Sequence, residues 1–159
     1  MDKRVIIVGI IVSVVLLMPK PVLAVTERYD ETPYCTYGSW NSSTNKSTEQ
    51  ASDWTHKLVM TWDINNVPTN GDAYWVLIDY ESVSPTGHNY EGLVVSYRWG
   101  GSGSWKNIVT LRLTFGAETY KIDDATSSYL QIKFEDESRL WFEGQHTWEF
   151  GSVPILLIY

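Results

Sequence analysis

The chain has 159 residues, of which 43% are hydrophobic and 14% aromatic, and its formal charge is −7. That length and apolar content suit a domain with its own core and exclude a disordered chain. The acidic balance repels phosphate backbones, which excludes nucleic acid as the expected partner.

Asp2, Lys3 and Arg4 precede an apolar run from Val5 to Met18, and Val22, Leu23 and Ala24 follow. A charged start, an apolar stretch and a small-residue cleavage site make residues 1–24 a signal peptide, with cleavage expected after Ala24. The run falls short of the about 20 apolar residues of a membrane helix, and Pro19 and Pro21 interrupt a helix there. The expected location is secreted or extracytoplasmic, with no membrane span after cleavage; retention as an uncleaved anchor is the alternative. Cys35 is the single cysteine, so an internal disulfide is impossible. It reads as a buried or idle thiol, with an intermolecular disulfide as the sharper alternative.

Residues 25–50 read as an N-terminal extension and polar linker, and residues 51–159 as the folded domain. Tyr34, Tyr37 and Trp40 suggest an extra strand that docks on the body. The tract from Asn41 to Gln50 is almost free of apolar residues and reads as a flexible loop. It contains two Asn-x-Ser sequons, making Asn41 and Asn45 glycosylation candidates.

From Ser52 the period is two. Trp54, His56, Leu58, Met60, Trp62 and Ile64 share one face of a half-buried strand. Residues 73–80 are apolar on both faces, which suggests a central, two-sided strand. Three hairpins are expected to follow. In the first, Leu93 faces Leu111, Val95 faces Val109 and Trp99 faces Trp105. The second turns at Gly116-Ala117 and sets Leu113 against Tyr120 and Leu111 against Ile122. The third pairs residues 129–135 with 139–143, so that Phe134 faces Leu140 and Ile132 faces Phe142. Residues 147–150 and 153–159 supply one or two closing strands. The expected core includes Leu58, Met60, Trp62, Val95, Leu111, Leu113, Ile132 and Phe134.

About eight strands with short turns, and no helical period, predict an all-β fold: a two-sheet antiparallel β-sandwich. The stretch Tyr129-Leu-Gln-Ile-Lys-Phe134, the acidic turn after it, Leu140-Trp-Phe-Glu-Gly144 and the closing Trp148 strand together resemble the rhythm of concanavalin A-like and laminin-G-like jelly rolls. The resemblance implies a sugar- or ligand-binding module. Glucanases of that group carry a Glu-x-Asp-x-(x)-Glu strand that this sequence lacks, which argues against hydrolysis.

Sugar recognition needs aromatic faces beside hydrogen-bonding side chains. Tyr129, Gln131, Arg139, Trp141 and Glu143 share the polar face of the third expected hairpin, with Trp141 as the leading ring. Trp99 and Trp105 flank the glycine-serine loop as a second candidate pair, or as a cross-strand pair that stabilises its hairpin. Asn65, Asn66, Asn70 and Asp72 in one loop, and Asp123 and Asp124 in another, offer oxygen ligands that can hold calcium, but they lack the spacing of a calcium loop. Asn-Gly-Asp is first a turn former, so calcium stays a minor alternative. No Cys/His spacing suggests zinc. No catalytic residue, cofactor or metal is therefore assigned. The leading function is an exported, non-catalytic carbohydrate-binding domain whose partner is a carbohydrate or cell-surface component. A structural or assembly subunit of the cell envelope comes second, and a secreted glycoside-active enzyme third.

Overall fold

The alternating stretches form strands. A computed structural model describes residues 26–28, 32–51, 55–84, 92–112, 115–136, 139–140 and 144–159, and these contain no helix. No helix among them is long and apolar enough to cross a membrane. Residues 1–24, expected to be a signal peptide, lie outside the described residues.

In chain order the strands are β1 (Thr26–Arg28), β2 (Tyr34–Tyr37), β3 (Ser39–Asn41), β4 (Lys46–Thr48), β5 (Gln50–Ala51), β6 (Thr55–Lys57) and β7 (Val59–Ile64). Then follow β8 (Tyr74–Ser84), β9 (Leu93–Trp99), β10 (Lys106–Leu111), β11 (Gly116–Ile122), β12 (Leu130–Asp136), β13 (Arg139–Leu140) and β14 (Thr147–Ile158). Two antiparallel sheets make the sandwich. One runs β11-β8-β14-β4-β3, with β1 also on β14; the other runs β10-β9-β12-β7-β2. A short third sheet joins β13, β6 and β5.

The core is where the alternation places it. Leu58, Met60, Trp62, Val95, Leu111, Ile132 and Phe134 are all buried, and Leu113 lies outside the described residues. Rings fill the space between the sheets. Phe134 packs edge-on against Trp62 at 5.0 Å and against Phe150 of the other sheet at 5.5 Å. Trp40 meets Trp62 at 5.5 Å and Phe150 at 5.9 Å. Cys35 lies opposite Met60 and is half-buried against this core, and burial pushes its thiol up from the usual range.

Several expected pairings are corrected. The tract from Asn41 to Gln50 is not a loose linker: it holds the turn between β3 and β4, and β4 lies between β3 and β14. Ser47 and Glu49 are buried, so a polar tract reaches the interior. The strand expected from Ser52 to Ile64 is split into β6 and β7, which belong to different sheets. Its face is as expected for His56 to Ile64, and Trp54 lies outside the described residues. β8 is central, between β11 and β14, but one-sided: Tyr74, Val76, Ile78 and Tyr80 are buried, whereas Trp75 is exposed.

The second expected hairpin does not form. β11 pairs with β8, setting Ile122 opposite Tyr74 and Tyr120 opposite Val76. Gly116, at φ +140°, begins β11 and is not a turn residue, so the chain steps from one sheet to the other there. The third hairpin fails because β12 is central, with a ladder on each side. Phe134 faces Met60 and Val95, and Ile132 faces Trp62 and Tyr97. Two ladders with apolar partners leave no edge on β12 for another strand. Arg139 and Leu140, as β13, pair with β6 instead, and residues 141–143 lie outside the described residues.

Gly38 makes the corresponding step between β2 and β3. At φ +85° it adopts a conformation that favours glycine, and a Cβ there would lie 2.6 Å from Thr48 O.

Phe134→Ala should cost about 3–5 kcal/mol, a large share of the roughly 5–15 kcal/mol typical of a domain. Urea denaturation should show a lower midpoint with an unchanged slope.

Candidate functional site

Residues between the inward positions of β7, β9 and β12 face outward in register. One row runs Asp63–Gln131–Arg98 across three strands. The next runs Tyr34–Thr61–Lys133–Ser96–Asn107 across all five. Tyr129 precedes β12 and joins the first row through its hydroxyl.

These side chains are already bonded to one another. Tyr129 Oη donates to Asp63 Oδ1 at 2.7 Å, and Gln131 Nε2 donates to the same oxygen at 2.6 Å. Arg98 Nε donates to Gln131 Oε1 at 2.6 Å. The Arg98 guanidinium lies 4.3 Å from the Trp105 ring centroid, and Lys133 Nζ lies 4.9 Å from it. Lys133 also pairs with Glu135 at 2.5 Å. Ser96, Thr61 and Gln131 are buried although they face outward. Tyr34 and Tyr37 on β2 are 48% and 43% exposed, and Lys57 Nζ lies 4.8 Å from the Tyr37 ring.

The structure thus brings Tyr129, Gln131 and Trp105 together and separates Trp99 from them. The expected register holds at Leu93–Leu111 and Val95–Val109, then shifts at a bulge between Asn107 and Val109. The extra residue ends the expected pairing of Trp99 with Trp105. Trp99 instead packs edge-on against Tyr74 at 5.4 Å and donates its indole N–H to Asp123 O at 3.2 Å. Trp141, Glu143 and the Arg139 side chain lie outside the described residues. Sequence reasoning missed Asp63 and Arg98 as site residues, because their meeting with Gln131 depends on the order of strands β7, β12 and β9.

Other candidates have their own settings. Asn41 Oδ1 accepts from Ser43 N and Oγ at 3.0 and 2.7 Å, which shapes the β3–β4 turn. Asn45 Nδ2, the atom that would carry a glycan, donates to Gly151 O at 3.1 Å. Asp123 pairs with Lys106, whose hydrogen bond holds the Asp123 carboxyl below its usual range. The pair lines a cleft of about 230 Å³ beside Trp99, Ser102 and Ser104. Asn65, Asn66, Asn70 and Asp72 are exposed. Tyr74 ties their loop down, its hydroxyl donating to Pro68 O at 2.5 Å and accepting from Gly71 N at 2.9 Å.

A second cluster is internal. Glu49, Asp136 and His146 are 2%, 0% and 1% exposed. Glu49 Oε2 accepts the His146 backbone N–H at 2.6 Å and lies 3.5 Å from His146 Nδ1. Burial pushes the Glu49 carboxyl up, but hydrogen bonds from His146 and Asp136 outweigh it and hold it below its usual range. None of the three stands out in the sequence: one lies in a polar tract, one before a turn, and one is an isolated histidine. No known family model matches the chain, and no curated protein matches it.

Burial, then the hydrogen bond to Asp63, push the Tyr129 phenol up to about 12. An unfolded tyrosine ionises near 10. The fold therefore favours neutral Tyr129, and this contribution is complete below pH 10 and lost as pH rises towards 12. Tyr129→Phe should flatten the fall in melting temperature across that interval, as read by thermal scans at a series of pH values.

Proposed function

We propose that this chain is an exported, non-catalytic binding domain for carbohydrate, with its site on the outward face of the β10-β9-β12-β7-β2 sheet. The observation that carries this reading is the bonded row Tyr129–Asp63–Gln131–Arg98 beside Trp105. A sugar presents hydroxyls that both donate and accept, together with an apolar C–H face. Carboxylate, amide and guanidinium groups meet the first need, and indole or phenol rings meet the second. Because these groups are held by one another on a sheet, little side-chain entropy remains to be lost on binding. The strand rhythm that resembles concanavalin A-like domains points to the same ligand class. Export rests on the signal-like residues 1–24.

A second reading, a cell-envelope assembly subunit, is favoured by one feature. β2 is an edge strand and carries the exposed rings of Tyr34 and Tyr37. An edge of that kind suits addition of a strand from another chain.

Glycan-array binding by the chain from Val25 tests the first reading, followed by titration of the best glycan. Trp105→Ala should weaken that glycan at least tenfold. Its effect on stability should be near the roughly 0.5–1 kcal/mol of an exposed cation–π contact. A wild-type protein that binds no glycan but self-associates, and loses association in Tyr34→Ser, would move the assignment to assembly.

A further inference from the structure

Glu49 follows β4 in one sheet, Asp136 ends β12 in the other, and His146 precedes β14. The interior thus gathers two carboxylates and an imidazole from three separate stretches of the chain. One ligand atom from each lies within 4.8 Å of the other two. Glu49 Oε1 is buried without a hydrogen-bond partner. Carboxylates are acceptors only when ionised. Two of them buried together require compensating positive charge, such as a shared proton or a bound cation.

We propose that Glu49, Asp136 and His146 bind one divalent ion of the zinc class, a structural ion that ties the two sheets together. The 3.5 Å between His146 Nδ1 and Glu49 Oε2 is close to the roughly 3.4 Å between neighbouring donors of a tetrahedral ion with bonds of 2.0–2.2 Å. Two ionised carboxylates balance the ion's charge, so the interior carries no net charge. An imidazole among the donors selects against calcium and magnesium, which take oxygen ligands in larger number. Three protein donors leave one position for water or a second carboxylate oxygen. Glu49 Oε1 is such an oxygen. His56, also buried, stands outside the set because its Nδ1 is bonded to Gly144 O at 2.9 Å. This site is independent of the outward sugar face.

The test is calorimetric titration of chelator-treated protein with zinc chloride, followed by melting curves. One ion per chain is expected, with a melting temperature that rises until one equivalent is reached and does not respond to magnesium or calcium at the same concentration. Glu49→Gln keeps the side chain's size and should lose at least tenfold in zinc affinity, whereas His56→Gln should retain it. Cobalt-loaded wild type gives a readout that needs no variant: tetrahedral visible bands, and X-ray absorption showing one imidazole among oxygen donors. A wild type that takes up no zinc would overturn the proposal. So would undiminished binding in Glu49→Gln, or a cobalt shell without imidazole. A Glu49→Gln variant more stable than a metal-indifferent wild type would assign the cluster to a shared proton and also reject it.

Discussion

Phe134 stands at the contact on which the rest of the molecule depends. It touches Trp62 within its own sheet and Phe150 across the interior. Sheets pack about 10 Å apart, a gap that facing aromatic rings can span. Once β7, β12 and β14 present rings inward, their intervening residues must face outward. The ordered polar rows on the outer face therefore follow from the same alternation that fills the core. Asp63 is outward because Trp62 and Ile64 are inward, and Gln131 because Leu130 and Ile132 are.

This explains which features the sequence disclosed. Side-chain direction is a local property with a period of two, so the buried sides of β7, β9 and β12 were readable from adjacent residues. Partner choice is not local. The three expected hairpins all joined neighbours in the chain, yet among the described residues only Leu93–Leu111 and Val95–Val109 pair as expected. Phe134 against Leu140 is a sound apolar pair, but Phe134 between Met60 and Val95 buries both of its flanks. The polar tract after Asn41 misled for a related reason. One side of β4 pairs with the adjacent β3, but the other pairs with β14, far along the chain, and composition alone carries no trace of that partner.

The candidate sites divide along the same line. Tyr129 and Gln131 were visible because they are two residues apart in one alternating stretch, and Trp105 because it flanks a loop rich in glycine. Asp63 and Arg98 reach them only through strand order. The internal cluster needs both sheets to be assembled, since Glu49 directly follows β4 of one sheet and Asp136 ends β12 of the other. A single residue of bulge between Asn107 and Val109 is enough to separate the tryptophans that simple hairpin counting sets face to face.

The position of β14 has a consequence for how the chain is made. Thr48 Oγ1 and Thr147 Oγ1 are 3.1 Å apart although 99 residues separate them. Among the described residues, β4 has no neighbour except β3 until β14 exists, and β1 has none at all. At a synthesis rate of roughly 5–20 residues per second, the amino-terminal strands emerge about 5–20 s before the strand that receives them. Trp40, a core contact in the finished molecule, spends that interval without Phe150. Vectorial emergence thus leaves an adhesive segment that must be kept apart from other chains until the last strand inserts beside it.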